Sequence, residues 1–385
     1  MEFDYFVAPA IFLLVGALVA KRAVKHLRSL PTRYSNTWPR IFDRVIIFML
    51  VLGSAALAIS SSFNAFSLVR FRQANFPTGA LYTVNGHRMH LNCSGTGAPT
   101  LAPTLVLDAG LGNDSLIWGS VQPQLAKTTR VCSYDRAGFG FSDPVSGPRD
   151  ADHIALELHQ LLQQANISGP IVLMGHSIAG MYIRDYAARY PNQVAGLIFV
   201  DGSTPLQDEN PAFKAAGETG IPRWASIIVM RSVFAAGLPR IVGSCARPMA
   251  GFDPHASDLL AEDLCHPQYG AVNQELSSFN ASGRETAHTG PFGDLPVLII
   301  SQDPQQAVTL AHGSHQVIDM ENAWGQMQED LKQLSTHSRR IIARGSSHAV
   351  QIDRPDLLIT EVPKFIDQIR GTASEPATYG KTIIE

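Results

Sequence analysis

From Val45 to Val69 the chain runs about 25 residues, VIIFMLVLGSAALAISSSFNAFSLV, without a single charged side chain. At 1.5 Å per residue a helix of that length reaches roughly 37 Å, enough to cross a hydrocarbon core of ~30 Å with some tilt. Such a run is too long for an ordinary core helix, so it is read as a transmembrane helix in preference to an apolar hairpin inside a soluble protein. An earlier run, Tyr5 to Ala20, is about 16 residues long and contains Pro9, which makes it a shorter candidate for a second span. A cleaved signal peptide would open with positive charge, whereas this chain opens with Glu2 and Asp4.

Between the two runs lie Lys21, Arg22, Lys25, Arg28, Arg33, Arg40 and Arg44, against only Arg70 and Arg72 just beyond the second. Basic loops stay on the cytoplasmic side, so the main domain is expected on the non-cytoplasmic side of the membrane. Residues 1–72 are thus an expected anchor, with spans 5–20 and 45–69.

The remaining chain is long enough for one large α/β domain or two average ones. A net charge of −3 in 385 residues, with no basic stripe, gives no electrostatic footprint for nucleic acid. Four scattered cysteines have neither the density of a disulfide scaffold nor C-x-x-C spacing. Cys93 and Cys132 fall in expected strands and are read as packing residues. Cys245 and Cys265 bracket a later segment, as either a disulfide or buried thiols.

ALYTVNGHRMHLNCSG, residues 80–95, is an alternating segment broken by Asn85-Gly86, a strong hairpin turn signal. Short apolar runs then alternate with helical patterns: TLVLDAGLG and RVCSYDR as strands, Asp150–Ile167 as a helix capped by Asp150 or Asp152, PIVLMG as a strand, GMYIRDYAARYP as a helix, VAGLIFVDG as a strand. Strands that are apolar almost throughout and alternate with helices indicate a parallel sheet covered on both faces. Regularity lapses over residues 204–293 and resumes over 294–371, so the middle stretch is read as an inserted helical cap in a sheet domain of 78–203 and 294–371. Trp224, Ile227, Ile228, Val229, Met230, Val233 and Phe234 of that insertion are apolar enough to line a greasy pocket or touch the bilayer, and ordinary cap packing is the preferred reading. Residues 372–385 are expected to be a flexible tail.

Strand PIVLMG, turn HSIAG and helix MYIRDYAARYP form the context of a nucleophile elbow, in which a serine is held in a strained turn between close-packed elements. Gly175 and Gly180 are the small flanks of Ser177. Ala179 stands where the G-x-S-x-G pattern has its second glycine. That position belongs to the following helix, so glycine there serves clearance only, and alanine adds one methyl.

LVLDAGLGNDSLIW, YDRAGFGFSD, MGHSIAG, VAGLIFVDGSTP and ARGSSHAVQIDRPDLL follow one another in the order and spacing of the α/β-hydrolase superfamily, and the chain resembles its bacterial branch with a Y-D-R-A-G-x-G-x-S segment over roughly residues 80–370. The resemblance implies an α/β-hydrolase fold: a mostly parallel sheet with an initial antiparallel hairpin, helices on both faces and a helical cap. It also implies Ser177 as nucleophile and His348 as its base. The oxyanion hole would be the backbone N–H groups of Ile178 and Leu111, the latter following Ala109-Gly110 where relatives often have histidine-glycine.

The acid is open. After strand seven the family has G-D-x-D with the second acid catalytic, whereas SQDPQQ offers Asp303 and then Gln305. Some relatives carry the acid after strand six, where this chain has Asp201. Asp201 is preferred, Asp303 is the alternative, and Asp319 or none remains.

Serine at the elbow excludes epoxide hydrolase and dehalogenase chemistry, which need a carboxylate nucleophile there. Cleavage of a carboxylic or lipid-like ester through an acyl-enzyme is expected, without a cofactor. An aminopeptidase-like amide hydrolase and an inactive membrane-tethered binding module are the alternatives. His312-x-x-His315 has no carboxylate cluster nearby to make a metal site, and His176 is read as pocket lining.

Overall fold

The computed structural model describes residues 3–29, 38–75, 78–95, 103–217, 223–246, 252, 254–310, 314–372 and 379–385. Along the chain run α1 (Phe3–Ser29), α2 (Trp38–Ala74), β1 (Ala80–Val84), β2 (His87–Ser94), β3 (Thr104–Asp108), α3 (Gln122–Leu125), β4 (Val131–Tyr134), α4 (Ala151–Gln164), β5 (Ile171–His176), α5 (Ala179–Arg189) and β6 (Val194–Val200). There follow α6 (Pro211–Gly217), α7 (Arg223–Ala235), α8 (Leu238–Ile241), α9 (Pro254–Leu264), α10 (Tyr269–Thr286), β7 (Val297–Ser301), α11 (Pro304–Leu310), α12 (His315–Asp330), β8 (Ser338–Ile342), α13 (Val350–Asp353), α14 (Pro355–Ile369) and β9 (Thr382–Ile384).

The chain divides into two compact units. The first is residues 1–76 with 222–247 and 261–267. Its two long helices hold apolar stretches, Tyr5–Lys25 and Arg44–Ala74, that are long and apolar enough to cross a membrane. The first stretch is longer than the sequence reading of 5–20, because the helix continues through Pro9 and on into the basic segment. Arg33 of that segment lies outside the described residues. Close packing of α1 on α2 depends on Gly16, where a Cβ would come within 2.7 Å of the Ser54 Cβ. Two hydroxyls of α2 are satisfied along the helix, Ser54 donating to the Leu50 carbonyl and Ser62 to that of Ala58, both at 2.8 Å.

The second unit, residues 77–221, 248–260 and 268–385, holds a nine-stranded sheet in the order β1-β2-β4-β3-β5-β6-β7-β8-β9. β1 pairs with β2 and β2 with β4 in antiparallel fashion; every other pairing is parallel. Asn85 (φ 48°) and Gly86 (φ 84°) both take the left-handed turn conformation that the opening hairpin needs.

Alternate residues of the central strands feed two apolar layers. Leu173, Leu197, Phe199 and Ile299 pack with Leu158, Leu161 and Leu162 of α4 and with Ile183 and Tyr186 of α5. Val172, Met174, Ile198, Val200, Leu298 and Ile300 pack with Leu358, Val362 and Phe365 of α14. Burial on both faces explains why these strands read as unbroken apolar runs. The Asp150 side chain caps α4 by accepting the His153 N–H at 3.0 Å.

Two sequence expectations are corrected. The stretch 372–385 is not a free tail throughout: Thr382–Ile384 adds a ninth strand in parallel register beside β8. Cys93 and Cys132 are not unpaired packing residues but a disulfide, because β2 and β4 are direct antiparallel neighbours with Cys93 opposite Cys132. The second pair, Cys245 and Cys265, is also disulfide-bonded.

Thiol titration of the denatured, unreduced protein is therefore expected to find none of its four cysteines free, and to find all four after reduction. Replacing Cys93 and Cys132 together by serine should lower the unfolding free energy by about 2–5 kcal/mol, read from denaturant melts.

Candidate active site

Ser177 occupies the turn between β5 and α5 with φ 54°, a left-handed conformation that costs a non-glycine residue about 1–2 kcal/mol. Its backbone is tied on both sides: its N–H donates to the Val200 carbonyl (3.2 Å), and its carbonyl accepts from Gly180 (2.8 Å) and Ser203 (2.7 Å). Neither flanking glycine could carry a side chain without displacement. A Cβ on Gly175 would lie 2.8 Å from the Ala179 carbonyl oxygen, and one on Gly180 would lie 2.9 Å from that of Ser203. Ala179 itself is fully buried at the start of α5, where its methyl packs among Ile178, Met181 and Tyr182.

His348, in the loop after β8, meets the serine: its Nε2 lies 2.9 Å from Ser177 Oγ, and its Nδ1 lies 2.6 Å from Asp201 Oδ2. Asp201 follows β6, adopts φ 46° and is fully buried, its Oδ1 accepting the Gln302 N–H at 3.0 Å. β5 and β6 are paired with His176 opposite Val200, so Ser177 and Asp201 leave the sheet side by side.

Asp303 stands elsewhere. Its two oxygens accept the N–H groups of Gln305 (3.0 Å) and Gly345 (2.8 Å), which tie the ends of two loops together. Asp319 is exposed on α12. His312 lies outside the described residues.

Burial acts to lower the pKa of His348, but the hydrogen bond and charge of Asp201, with the nearby charge of Glu321, outweigh it and leave the imidazole above its ordinary value. Glu321, on α12, is itself raised by burial and by the Asp201 charge, and accepts from Gln302 Nε2 at 2.6 Å. Trp324, one turn further along α12, sets its edge against the His348 ring with centroids 5.5 Å apart, and Phe213 of α6 lies beyond it at 6.0 Å.

His176, one residue before Ser177, is buried, and burial together with the His348 charge pushes it down to about 3. It is therefore neutral, and as the Nε2–H tautomer donates to the His348 carbonyl at 2.9 Å. It supports the loop that carries His348 and is not a second base.

The loop after β3 passes close to the serine. A Cβ on Gly110 would come within 2.5 Å of His176 Nδ1 and 3.2 Å of Ser177 Cβ, so glycine is required there, and the next N–H is that of Leu111. Ile178 begins α5, and no side chain caps that helix end. Backbone N–H groups at such an end are available to a negative oxygen.

Arg136, of YDRAGFGFSD, holds this loop from beneath. It donates from Nη1 to the carbonyl oxygen of Ala109 (2.5 Å) and to Asp108 Oδ1 (2.7 Å), and from Nη2 to the carbonyl oxygen of Gly110 (3.0 Å). Its Nε and Nη2 also grip Glu275 of α10 at 2.6 and 3.0 Å. Every member is buried, and the two carboxylates keep the guanidinium charged against the cost of desolvation. The neighbouring Asp135 accepts from Ser115 N–H (2.8 Å) and Phe141 N–H (3.0 Å), with His90 Nδ1 at 2.8 Å from its Oδ2, and so fixes the turn around Gly138 and Gly140. Sequence reasoning left out Glu275, Glu321 and Trp324, because nothing local ties an insertion or a late helix to the elbow.

Residues 105–361 match the profile of the alpha/beta hydrolase family. A protein of Hormonema carpetanum named a probable transporter is 34% identical over 319 residues, which cover 76% of this chain and 43% of that one. A Schizosaccharomyces pombe protein is 30% identical over 183 residues, 40% of this chain and 34% of its own. The chain thus spans less than half the length of these two relatives. A Mycobacterium tuberculosis protein is 26% identical over 322 residues, covering 80% of this chain and 85% of its own. Among solved structures, a membrane phospholipase A aligns at TM-score 0.52 with 19% identity over 86% of this chain and 99% of that chain. The enol-lactonase of Burkholderia xenovorans LB400 aligns at 0.51 with 22% identity over 74% and 99%. Both show likeness of fold.

Glu275→Gln removes one charge from a buried, paired set, and should cost about 3–5 kcal/mol of unfolding free energy in denaturant melts.

Proposed function

The chain belongs to the alpha/beta hydrolase family, and on that premise we propose that it is a membrane-anchored serine hydrolase that cleaves an apolar carboxylic ester through a Ser177 acyl-enzyme. The observation that carries this reading is the continuous line from Ser177 Oγ through His348 to Asp201, at 2.9 and 2.6 Å. In the first half-reaction His348 Nε2 takes the hydroxyl proton as Ser177 Oγ bonds to the ester carbon, and the resulting oxyanion is held by the N–H groups of Ile178 and Leu111. His348 then gives the proton to the departing alkoxide. In the second half a water loses its proton to His348 and attacks the acyl carbon; as the bond to Ser177 Oγ breaks, His348 gives that proton to Oγ, which releases the acid and restores the serine hydroxyl. Asp201 holds the Nδ1–H tautomer and stabilises the imidazolium. No step needs a metal or cofactor. Trp324 and Phe213 supply an aromatic wall beside His348, which favours an apolar group over a charged one.

The anchor is the pair of helices with apolar stretches Tyr5–Lys25 and Arg44–Ala74, with the basic segment between them cytoplasmic and the hydrolase domain on the far side. Two disulfides support that side, since they persist in oxidising compartments.

A fluorophosphonate probe should label the folded protein and not its Ser177→Ala variant; equal labelling of both would sink the serine reading. Asp201→Asn should lower kcat for a short-chain nitrophenyl ester about 10³–10⁴-fold while Asp303→Asn retains it, and the reverse pattern would move the acid to Asp303.

His348 must be neutral to accept the proton, and its pKa is raised. The acid limb of kcat/KM should therefore have its midpoint above 6.5, with activity lost as pH falls through it. Glu321→Gln removes a charge that raises His348, so the limb should move to lower pH.

A further inference from the structure

The insertion between β6 and β7 contains a helix whose surroundings do not suit a soluble cap. Ala225–Ala235 of α7 is a short apolar helix, and it belongs to the same compact unit as α1 and α2. Its length is about 16 Å, roughly half of a ~30 Å hydrocarbon core. An apolar helix of this size is ordinarily a core helix or an interfacial or re-entrant one. A core helix is ruled out by exposure: Ile228 is 55%, Val229 58% and Met230 45% exposed, and beyond the bend at Gly237, Ile241 and Val242 are 65% and 67% exposed.

The inner side of this segment is joined to α2 by polar contacts of an unusual kind. Ser60 Oγ donates to the Ala236 carbonyl at 2.6 Å, and Asn64 Nδ2 donates to the Phe234 carbonyl at 3.0 Å. Both residues lie inside the charge-free run, where a polar side chain facing lipid would be costly. Here Ser60 satisfies the Ala236 carbonyl just past the end of α7, and Asn64 adds a second donor to the Phe234 carbonyl, which also accepts the Gly237 N–H at 2.9 Å. The Ser232 hydroxyl, exposed on α7, is likewise satisfied within its own helix, at 2.8 Å from the Ile228 carbonyl. Arg240 of α8 is paired with Glu262 and donates to Asn64 Oδ1 at 3.1 Å. This is the bookkeeping that a water-free surrounding demands of backbone and polar groups. An apolar cluster of Tyr5, Ala8, Leu68 and Ala235, with Phe12 and Phe234, completes the contact.

These contacts have a depth. Ser60, Asn64 and Leu68 occupy the last third or so of the run Val45–Val69, and Tyr5 and Ala8 the beginning of α1; both ends are the non-cytoplasmic one in the proposed topology. On α2, Ile59 (72% exposed), Phe63 (58%) and Phe66 (59%) are exposed in the same way as the outer residues of α7 and α8.

We propose that α7 and α8 form a third membrane element, seated in the non-cytoplasmic leaflet against α1 and α2, with lipid acyl chains covering Ile228, Val229, Ile241 and Val242. The proposal rests on the reading of α1 and α2 as membrane spans, and part of the enzyme's inserted segment is then immersed in lipid.

The test uses the full chain reconstituted in phosphatidylcholine vesicles that carry doxyl-labelled acyl chains. An environment-sensitive fluorophore is attached to a cysteine added at one position at a time: Val229→Cys, Ile241→Cys, Ile59→Cys within α2, and Lys127→Cys on the water-exposed surface of the sheet domain. All four side chains are exposed, so the labels displace no packing. The expected result is several-fold quenching at 229 and 241, comparable to that at 59, with none at 127. Quenching at 59 with 229 and 241 as unaffected as 127 would overturn this inference and leave the spans standing. No quenching at 59 would overturn the spans and the inference together.

Discussion

A fully buried arginine between two buried carboxylates is the constraint around which the sheet domain is organised. Arg136 joins the ends of β3 and β4 to α10 of the insertion, through Asp108 on one side and Glu275 on the other. A charge removed from water is tolerated only when its partners are in place, so the three elements must close together or none does. The same guanidinium takes the carbonyls of Ala109 and Gly110, in the loop whose Gly110 lies against His176 and Ser177. Loop geometry beside Ser177 is thus set by ionic closure, and the ring of Tyr182 over the guanidinium extends that support into α5.

The elbow is a second point where strain is held by neighbours. Ser177 and Asp201 both adopt positive φ, and each is held by hydrogen bonds from adjoining strands: Ser177 to Val200, Asp201 to Ile300. Two strained residues on adjacent strands are stable because the parallel ladder continues up to them. The apolar residues of β5, β6 and β7 therefore position the site as well as forming the core.

Much of this was legible in the residues. The alternation of apolar runs with helical patterns marks a parallel sheet, and Asn85-Gly86, Asp150 and the small flanks of Ser177 announce local structure because turns, caps and close approaches have chemical requirements that act over a few residues. What was not legible depends on register between distant segments. Cys93 and Cys132 read as packing residues because nothing in either segment says that they lie opposite one another across β2 and β4. Thr382–Ile384 read as tail because an edge strand this short has no periodicity. Glu275, Glu321 and Trp324 lie on helices whose approach to the elbow is settled by tertiary packing alone. For α7 the apolar residues alone favoured ordinary cap packing, and the contacts made by Ser60 and Asn64 depend on an approach to α2 that no local pattern records.

The pairing of His176 with Val200 has a consequence for how such a domain can diverge. Ser177 and Asp201 emerge from neighbouring strands, so their separation is set by the spacing of one ladder, roughly 4.8 Å. Nothing that follows β7 is needed to bring them together. The loop around Asp303 stands apart from the line of Ser177, His348 and Asp201 and serves as a brace to the turn at Gly345. The segment after β7 can therefore be lengthened, shortened or recomposed while the approach of Ser177 to Asp201, one strand away, is kept.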